Sequence, residues 1–347
     1  MNASRRGYGR AGSITAGCVL GALLALVAVA AEEPTTAQGP IPYGPGKEIA
    51  RLANPEITES SGLAPSRIRP GAFWTHNDAG DKPRLFAFND KGADLGAYMI
   101  QGATAVDWED MASFSIGKRP YLLVGDVGDN QVRRKSYTLY LVAEPPVAAE
   151  PPRPASLPLA ARMDFTYEDG PHNCESLAVD PVRREILLVS KTAEAGCKVY
   201  VLPLPREARV RDLVAKALAT LQVPTTTAMD VSPDGLRAVV LTYTDAYEYT
   251  REAKEDWGAA FGRAPRTIRM PPRPQGESIC YGPDGRTLYL TSERAPSPLL
   301  QVSPEGPAGD AAGAPLHDWP RAIPKPAAVM GSHDVLAAVK VIWGEFR

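Results

Sequence analysis

The segment ESICYGPDGRTLYLTSER, Glu277–Arg294, holds two short apolar runs joined by a Gly-Pro-Asp-Gly turn. Aromatic and β-branched residues on both sides of such a turn predict a hairpin. A glutamate heads its first strand, and charged residues end its second. The same pattern recurs as SGLAPS from Ser61, EDMASF from Glu109, ESLAVD from Glu175 and TAMDVSPDG from Thr227, with anchors 48, 66, 52 and 50 residues apart. A second strand follows each anchor: AFWTHND, YLLVGDVGDN, EILLVSKT, RAVVLTYT and TLYLTSER. Third strands follow in most repeats (RLFAFN, YTLYLVAEP, KVYVLPLP, PLLQVSP), and LPLAARMDFTY and RTIRMPP read as fourth strands.

Four short strands per repeat of about 50 residues predict an all-β protein, a β-propeller with five blades spanning residues 47–305. A sandwich or barrel would not need the same polar residue at the head of every repeat. The fifth repeat lacks a clear fourth strand, and KEIARLA, Lys47–Ala53, precedes the first anchor with nothing before it to pair with. Closing the ring with that N-terminal strand leaves no open edge. The alternative is a sixth blade from VLAAVKVIW, within the Pro/Ala/Gly-rich extension 306–347, although no anchor precedes it. The insertion REAKEDWGAAFGR, Arg251–Arg263, favours a helix. It reads as a solvated excursion, or, through Trp257, as a flap over the adjoining face.

In a propeller the first strand of each blade starts, and the second ends, at the same face. The anchors Ser61, Glu109, Glu175, Thr227 and Glu277 therefore surround the axis. Three carboxylates facing one another repel unless a proton or a cation lies between them. Three carboxylates and two hydroxyls are all-oxygen ligands, which suits calcium. The other reading has the glutamates capping backbone N–H groups or facing water. Around that mouth the second strands place His76, Asn77, Asp78 and Asp81, then Asp126, Asp129 and Asn130, with Arg133, Lys191, Tyr243 and Arg294. His76, Asp78, Asp126 and Asp129 are the candidates for orienting water and shuttling its proton. Asn77, Asp81, Asn130, Arg133, Lys191, Tyr243 and Arg294 are candidate ligand contacts. The ligand expected is a polar or anionic small molecule, phosphorylated ones included. Turn capping is the competing account of GDVGDN, and His172 is placed to reach the same mouth.

Composition narrows the class. The chain has 347 residues, is 44% hydrophobic and carries a formal charge of -2. With no basic stripe, it lacks the footprint of a nucleic-acid binder. Arg5, Arg6 and Arg10 precede an apolar run from Ala11 to Ala31 that ends in small residues, which predicts an export signal over residues 1–30 and a flexible mature N-terminus over 31–46. The alternative is a retained membrane anchor. SRRGYGR partly matches a twin-arginine signal, with Gly9 where a leucine is usual, so the expected destination is periplasmic or extracellular by the Sec or twin-arginine route. Cys174 and Cys197 could pair in an oxidising compartment, or stay as buried thiols with Cys280. No Cys/His spacing supports zinc.

The segments SGLAPS, HNDAGDKPRLFAFN, DWEDMA, GDVGDN, DGPHNCESLAVD, VSPDG and QGESICYGPDGRTLYLTSE resemble a family of secreted bacterial propellers, largely uncharacterised, that is called phytase-like or esterase-like. The likeness runs over most of residues 55–302. The residues heading each blade also resemble those of calcium-dependent apyrases, five-bladed propellers with axial calcium that hydrolyse nucleotide phosphoanhydrides. That resemblance implies calcium at Glu109, Glu175, Glu277, Ser61 and Thr227; the nucleotide-gripping loops have no counterpart here. The expectation is an exported calcium-binding propeller carrying out metal-assisted phosphoester hydrolysis, or a non-enzymatic binding module.

Overall fold

The apolar runs of the second strands are continuous because both of their faces are buried. In LLV, Leu122 and Val124 face one apolar cluster and Leu123 the next. That is the period-2 geometry of a strand with a packed sheet on either side. The computed structural model describes residues 41–147, 155–204 and 209–305. The export signal, the flexible N-terminus up to residue 40 and the C-terminal extension with VLAAVKVIW lie outside the described residues. Among the described residues, no helix is long and apolar enough to cross a membrane.

The chain is all-β and propeller-like. A lone strand, β1 (Lys47–Arg51), precedes the first four-stranded meander, β2 (Ser60–Pro65), β3 (Ala72–Asn77), β4 (Arg84–Asn89) and β5 (Asp94–Gln101). The second is β6 (Trp108–Ile116), β7 (Arg119–Asp126), β8 (Tyr137–Ala143) and β9 (Ala155–Tyr167). The third is β10 (Cys174–Asp180), β11 (Glu185–Ser190), β12 (Cys197–Pro203) and β13 (Arg209–Leu221). The fourth is β14 (Thr226–Val231), β15 (Arg237–Thr242), β16 (Ala246–Thr250) and, after the helix α1 (Trp257–Phe261), β17 (Arg266–Ile268). The last comprises β18 (Gly276–Tyr281), β19 (Leu288–Ser292) and β20 (Pro298–Val302). As expected, β1 pairs antiparallel with β20, placing Lys47 opposite Gln301 and Arg51 opposite Pro298.

First strands pack side by side in chain order, and β18 packs against β2. The apolar core divides into five clusters, each shared by two neighbouring sheets, including one that joins Phe73 and Phe86 of the first sheet to Cys280 and Leu299 of the last. The predicted turns form: Gly235 and Gly285 take positive φ, and the Asp234 and Asp284 carboxylates accept the following backbone N–H groups.

Two outer strands depart from a simple blade repeat. Both β9 and β13 are 13 residues long, and each divides its length between two sheets. The start of β9 runs parallel to β5 and its end pairs with β8, while β13 begins parallel to β9 and then joins β12. The outer edges of the first three sheets are therefore hydrogen-bonded to one another, a protection that exposed edges otherwise need from charge or shortness.

The 251–263 insertion is neither a flap over the mouth nor a solvated excursion. Asp256 caps α1 by accepting from Ala259 N at 2.8 Å, and Trp257 and Phe261 enter the core between the third and fourth sheets. The Trp257 indole donates to Asp180 (2.9 Å), at the end of β10 remote from Glu175. The three described cysteines are free and buried; Cys174 and Cys197 do not pair.

Candidate functional site

Every first strand breaks its pairing at the anchor. Trp108 pairs with Asp126 and Asp110 with Gly125, which leaves Glu109 as an inserted residue. The same shift surrounds Glu175, Thr227 and Glu277, and Ser61 with Gly62 in the first sheet. The anchors are thus β-bulges, the device that re-aims a side chain out of the alternating pattern. Spacing alone identified the positions but not this cause.

The bulged residues do not form a uniform oxygen cage. Ser61 Oγ donates to the main-chain carbonyl of Glu109 (2.5 Å) and Thr227 Oγ1 to that of Gly276 (2.8 Å), so each hydroxyl ties its strand to the next sheet. Glu175 is ion-paired with Lys191 and accepts from Asn173 Nδ2 at 3.1 Å. Glu277 accepts from Gln275 Nε2 at 2.8 Å. Glu109 differs: the residue is 5% exposed, and its carboxylate has no hydrogen-bond donor among the described residues. Of the residues expected to form an axial calcium ring, Ser61 and Thr227 are thus hydrogen-bonded to main-chain carbonyls and Glu175 and Glu277 have side-chain partners, which leaves Glu109 as the member with none among the described residues.

One carboxylate oxygen each from Asp78, Asp107 and Glu109 fall within 4.8 Å of one another. Asp78 follows β3, Asp107 precedes β6 and Glu109 is the bulge of β6, so the group sits where the first two sheets meet. The Asp107 carbonyl accepts from Val127 N and Gly128 N, both at 3.1 Å, which brings the GDVGDN backbone against the acids. A Cβ on Gly128 would collide with Glu109 Oε1 and stand 2.5 Å from Asp107 Oδ2. Gly128 is required here for close approach rather than for a positive φ. Asp107, in the motif DWED, is a site residue that the sequence reading passed over; its signal was two acids flanking a core tryptophan.

Burial and like charge shift these groups together. Desolvation and then Asp78 push Asp107 up to about 6. Desolvation, followed by Glu175, Asp78 and Asp107, pushes Glu109 well above its ordinary value, with Lys191 opposing. Desolvation also raises Asp78, Glu175 and Glu293, and it pushes Glu277 up to about 8. Lys191 faces this group, with Arg134 opposing the shift at Asp107; Lys191 also donates to Tyr243 Oη (2.6 Å) and lies 4.6 Å from that ring's centre. Expected to grip an anionic ligand, Lys191 is instead the internal counter-ion of Glu175.

The other expected residues separate by role. His76 does not reach the mouth. It is fully buried, edge-on to Trp108, its Nδ1 2.9 Å from Asn77 O, and burial lowers it to about 4. Asn77 accepts from Thr58 N and Glu59 N and donates to Asp81, which is paired with Arg84 (2.9 Å). Asp126 accepts from Val106 N and Asp107 N and pairs with Arg134 at 2.8 Å. Burial raises Asp129, but the N–H groups of Arg133 and Arg134 and the Tyr137 hydroxyl hold it below its ordinary value. The two GDVGDN aspartates are thus bound to turn backbone and arginine. Asn130 accepts from Asn173 Nδ2 (3.2 Å), and the Arg133 and Arg294 side chains are exposed. His172 belongs to a separate cluster with Asp169 (2.9 Å) and Tyr200 (2.6 Å).

No protein-family model matches the chain, and no curated protein matches it. Among solved structures it is similar to one described as "Structure of U3-55K", at 9% identity and a TM-score of 0.35, over 70% of this chain and 67% of that one. It is likewise similar to "Crystal structure of RRP9 WD40 repeats", at 9% identity and a TM-score of 0.36, over 71% and 67% of the two chains.

A buried carboxyl raised to about 8 makes stability fall with rising pH. Folded Glu277 keeps a proton that the unfolded chain releases, so stability is full below its ordinary 4.5 and is lost as pH rises toward about 8. Glu277→Gln cannot ionise and keeps an acceptor for Gln275. Urea unfolding at pH 8 should find it more stable than the parent by about 1–3 kcal/mol, with the gain shrinking toward pH 5. A pH-independent difference would remove Glu277 as the cause.

Proposed function

We propose that the chain is an exported, five-bladed β-propeller closed by β1, acting as a binding module whose acidic mouth takes up positive charge. The pairing of β1 with β20, the packing of β18 on β2 and the five shared clusters support five blades and closure. The pattern of residues 1–30 supports export. One observation carries the functional reading: Asp78, Asp107, Glu109, Glu175, Glu277 and Glu293 gather around Lys191, with Arg134 near Asp107 and Arg273 near Glu277, so that acids outnumber bases there. Such a cleft concentrates cations and repels phosphorylated ligands. Phosphoester hydrolysis is the weaker reading, because His76, Asp126 and Asp129 are engaged in packing and turn contacts that leave no poised general base among them.

Calorimetric titrations with calcium, spermidine and inorganic phosphate test the reading. Calcium or spermidine should bind, spermidine more weakly as salt rises, and phosphate should not. Turnover of any phosphoester in a panel with calcium, magnesium or manganese, or tight phosphate binding, would overturn the module in favour of an enzyme.

A further inference from the structure

We infer that Asp78, Asp107 and Glu109 form a site for one hard divalent cation of the calcium type, where the first two sheets meet. The inference rests on the reading that this mouth takes up positive charge and assigns its ligand set.

Three observations converge. The three ligand oxygens lie within 4.8 Å of one another; equal sides of that length put the centre about 2.8 Å from each oxygen, close to the ~2.3–2.6 Å of calcium coordination. Small side-chain rotations close the difference. Glu109 supplies the second observation. A carboxylate on a residue only 5% exposed, with no donor among the described residues, is a costly arrangement unless water or an ion satisfies it. Its neighbours at the same bulge position do have partners, Lys191 for Glu175 and Gln275 for Glu277, so the missing partner is specific to this corner. Third, Gly128 lets the GDVGDN backbone come closer to the Glu109 and Asp107 carboxylates than any side chain would allow, which holds the two acids together.

The chemistry selects the ion. All three donors are carboxylates, with neither imidazole nor thiolate among them, which favours calcium, magnesium or manganese over zinc or copper. Three carboxylates leave several positions for water, and donors from three separate stretches of chain tolerate calcium's longer and less regular coordination better than magnesium's strict octahedron. Lys191, bonded to Glu175, occupies the neighbouring corner as a tethered cation, so a divalent ion would offset two of the three charges of its own carboxylate ligands. The bound ion would present its water-filled face to the mouth and so extend the module's reach to ligands with their own oxygen donors.

Terbium luminescence excited through tryptophan tests the site directly, because Trp108 lies between two of the proposed ligands in the chain. The whole protein should give a terbium signal that calcium displaces, and calcium at about a hundred times its Kd should raise the Tm by about 5 °C or more. Asp107→Asn and Glu109→Gln should each weaken binding at least about tenfold, while Glu175→Gln and Glu277→Gln retain it; melting in chelator verifies that each variant is folded. Binding that survives Asp107→Asn but is lost in Glu277→Gln would overturn the site and restore an axial one, leaving the acidic-mouth reading intact. No response to calcium, magnesium, manganese or terbium, with spermidine still bound, would sink the site alone. No response to any cation would sink both.

Discussion

Asp110→Ala is expected to lower stability by about 3–6 kcal/mol, a large part of what a domain has. Asp110 is fully buried and accepts three backbone N–H groups: Met111 (2.8 Å), Leu177 (2.8 Å) and Met229 (3.0 Å). They belong to β6, β10 and β14. A first strand has a ladder partner on one side only, so N–H groups on its inner edge must find an acceptor at the centre of the ring. Alanine would orphan all three, at about 1–3 kcal/mol each. Burial pushes the Asp110 carboxyl well above its ordinary value even against those N–H groups. Asparagine, neutral and of the same shape, should therefore cost clearly less than alanine. Urea midpoints at an unchanged m-value would show the order parent, Asn, Ala; an Ala variant within about 1 kcal/mol of the parent would refute the role.

At the opposite end of β10, Asp180→Ala should cost about 3–5 kcal/mol and lower the Tm by roughly 6–20 °C. Asp180 and Arg251 form a buried pair at 3.0 Å, with side chains 0% and 1% exposed. Asp180 also accepts from Trp257 Nε1, Val182 N and Arg183 N. Its removal leaves an uncompensated guanidinium in the core and loosens α1. The double variant Asp180→Ala with Arg251→Met should recover part of the loss, since the stranded charge goes with the arginine. A double variant as unstable as the sum of the single ones would assign the loss to packing instead. Terbium binding at the mouth should be the same in both proteins when they are folded, because the pair stands at the other end of the strand.

The two ends of β10 differ in how their carboxylates are satisfied. Asp180 has several donors and a fixed counter-ion, whereas the mouth gathers more acids than bases. Removing a carboxylate from the first place costs stability; removing one from the second relieves repulsion, as expected for Glu277→Gln.

Much of the architecture was legible in the chain because it rests on local rules. Alternating burial, Pro-Asp-Gly turns and an anchor repeating near every 50 residues placed the strands, and an unpaired KEIARLA implied a partner near Leu299–Val302. The helical character of 251–263 was equally local, since it follows from composition and an Asp256 cap. What the sequence could not determine was the direction of a side chain and the identity of its partner across space. Spacing placed Glu109, Glu175 and Glu277 in one register, but only the three-dimensional packing gave Gln275 to Glu277, Lys191 to Glu175 and, among the described residues, no donor to Glu109. His76 and Asp78 are two residues apart, yet His76 lies within β3 and is buried in the core, whereas Asp78 falls just past the end of β3 and lies beside Asp107. Asp126 and Asp129 drew attention as a cluster of oxygens; the backbone donors of Asp129, Arg133 N and Arg134 N, are local turn groups, whereas those of Asp126, Val106 N and Asp107 N, come from about twenty residues upstream and only folding brings them near. Short-range periodicity is written in the order of residues; which carboxylate goes unpaired depends on which sheet edges come together.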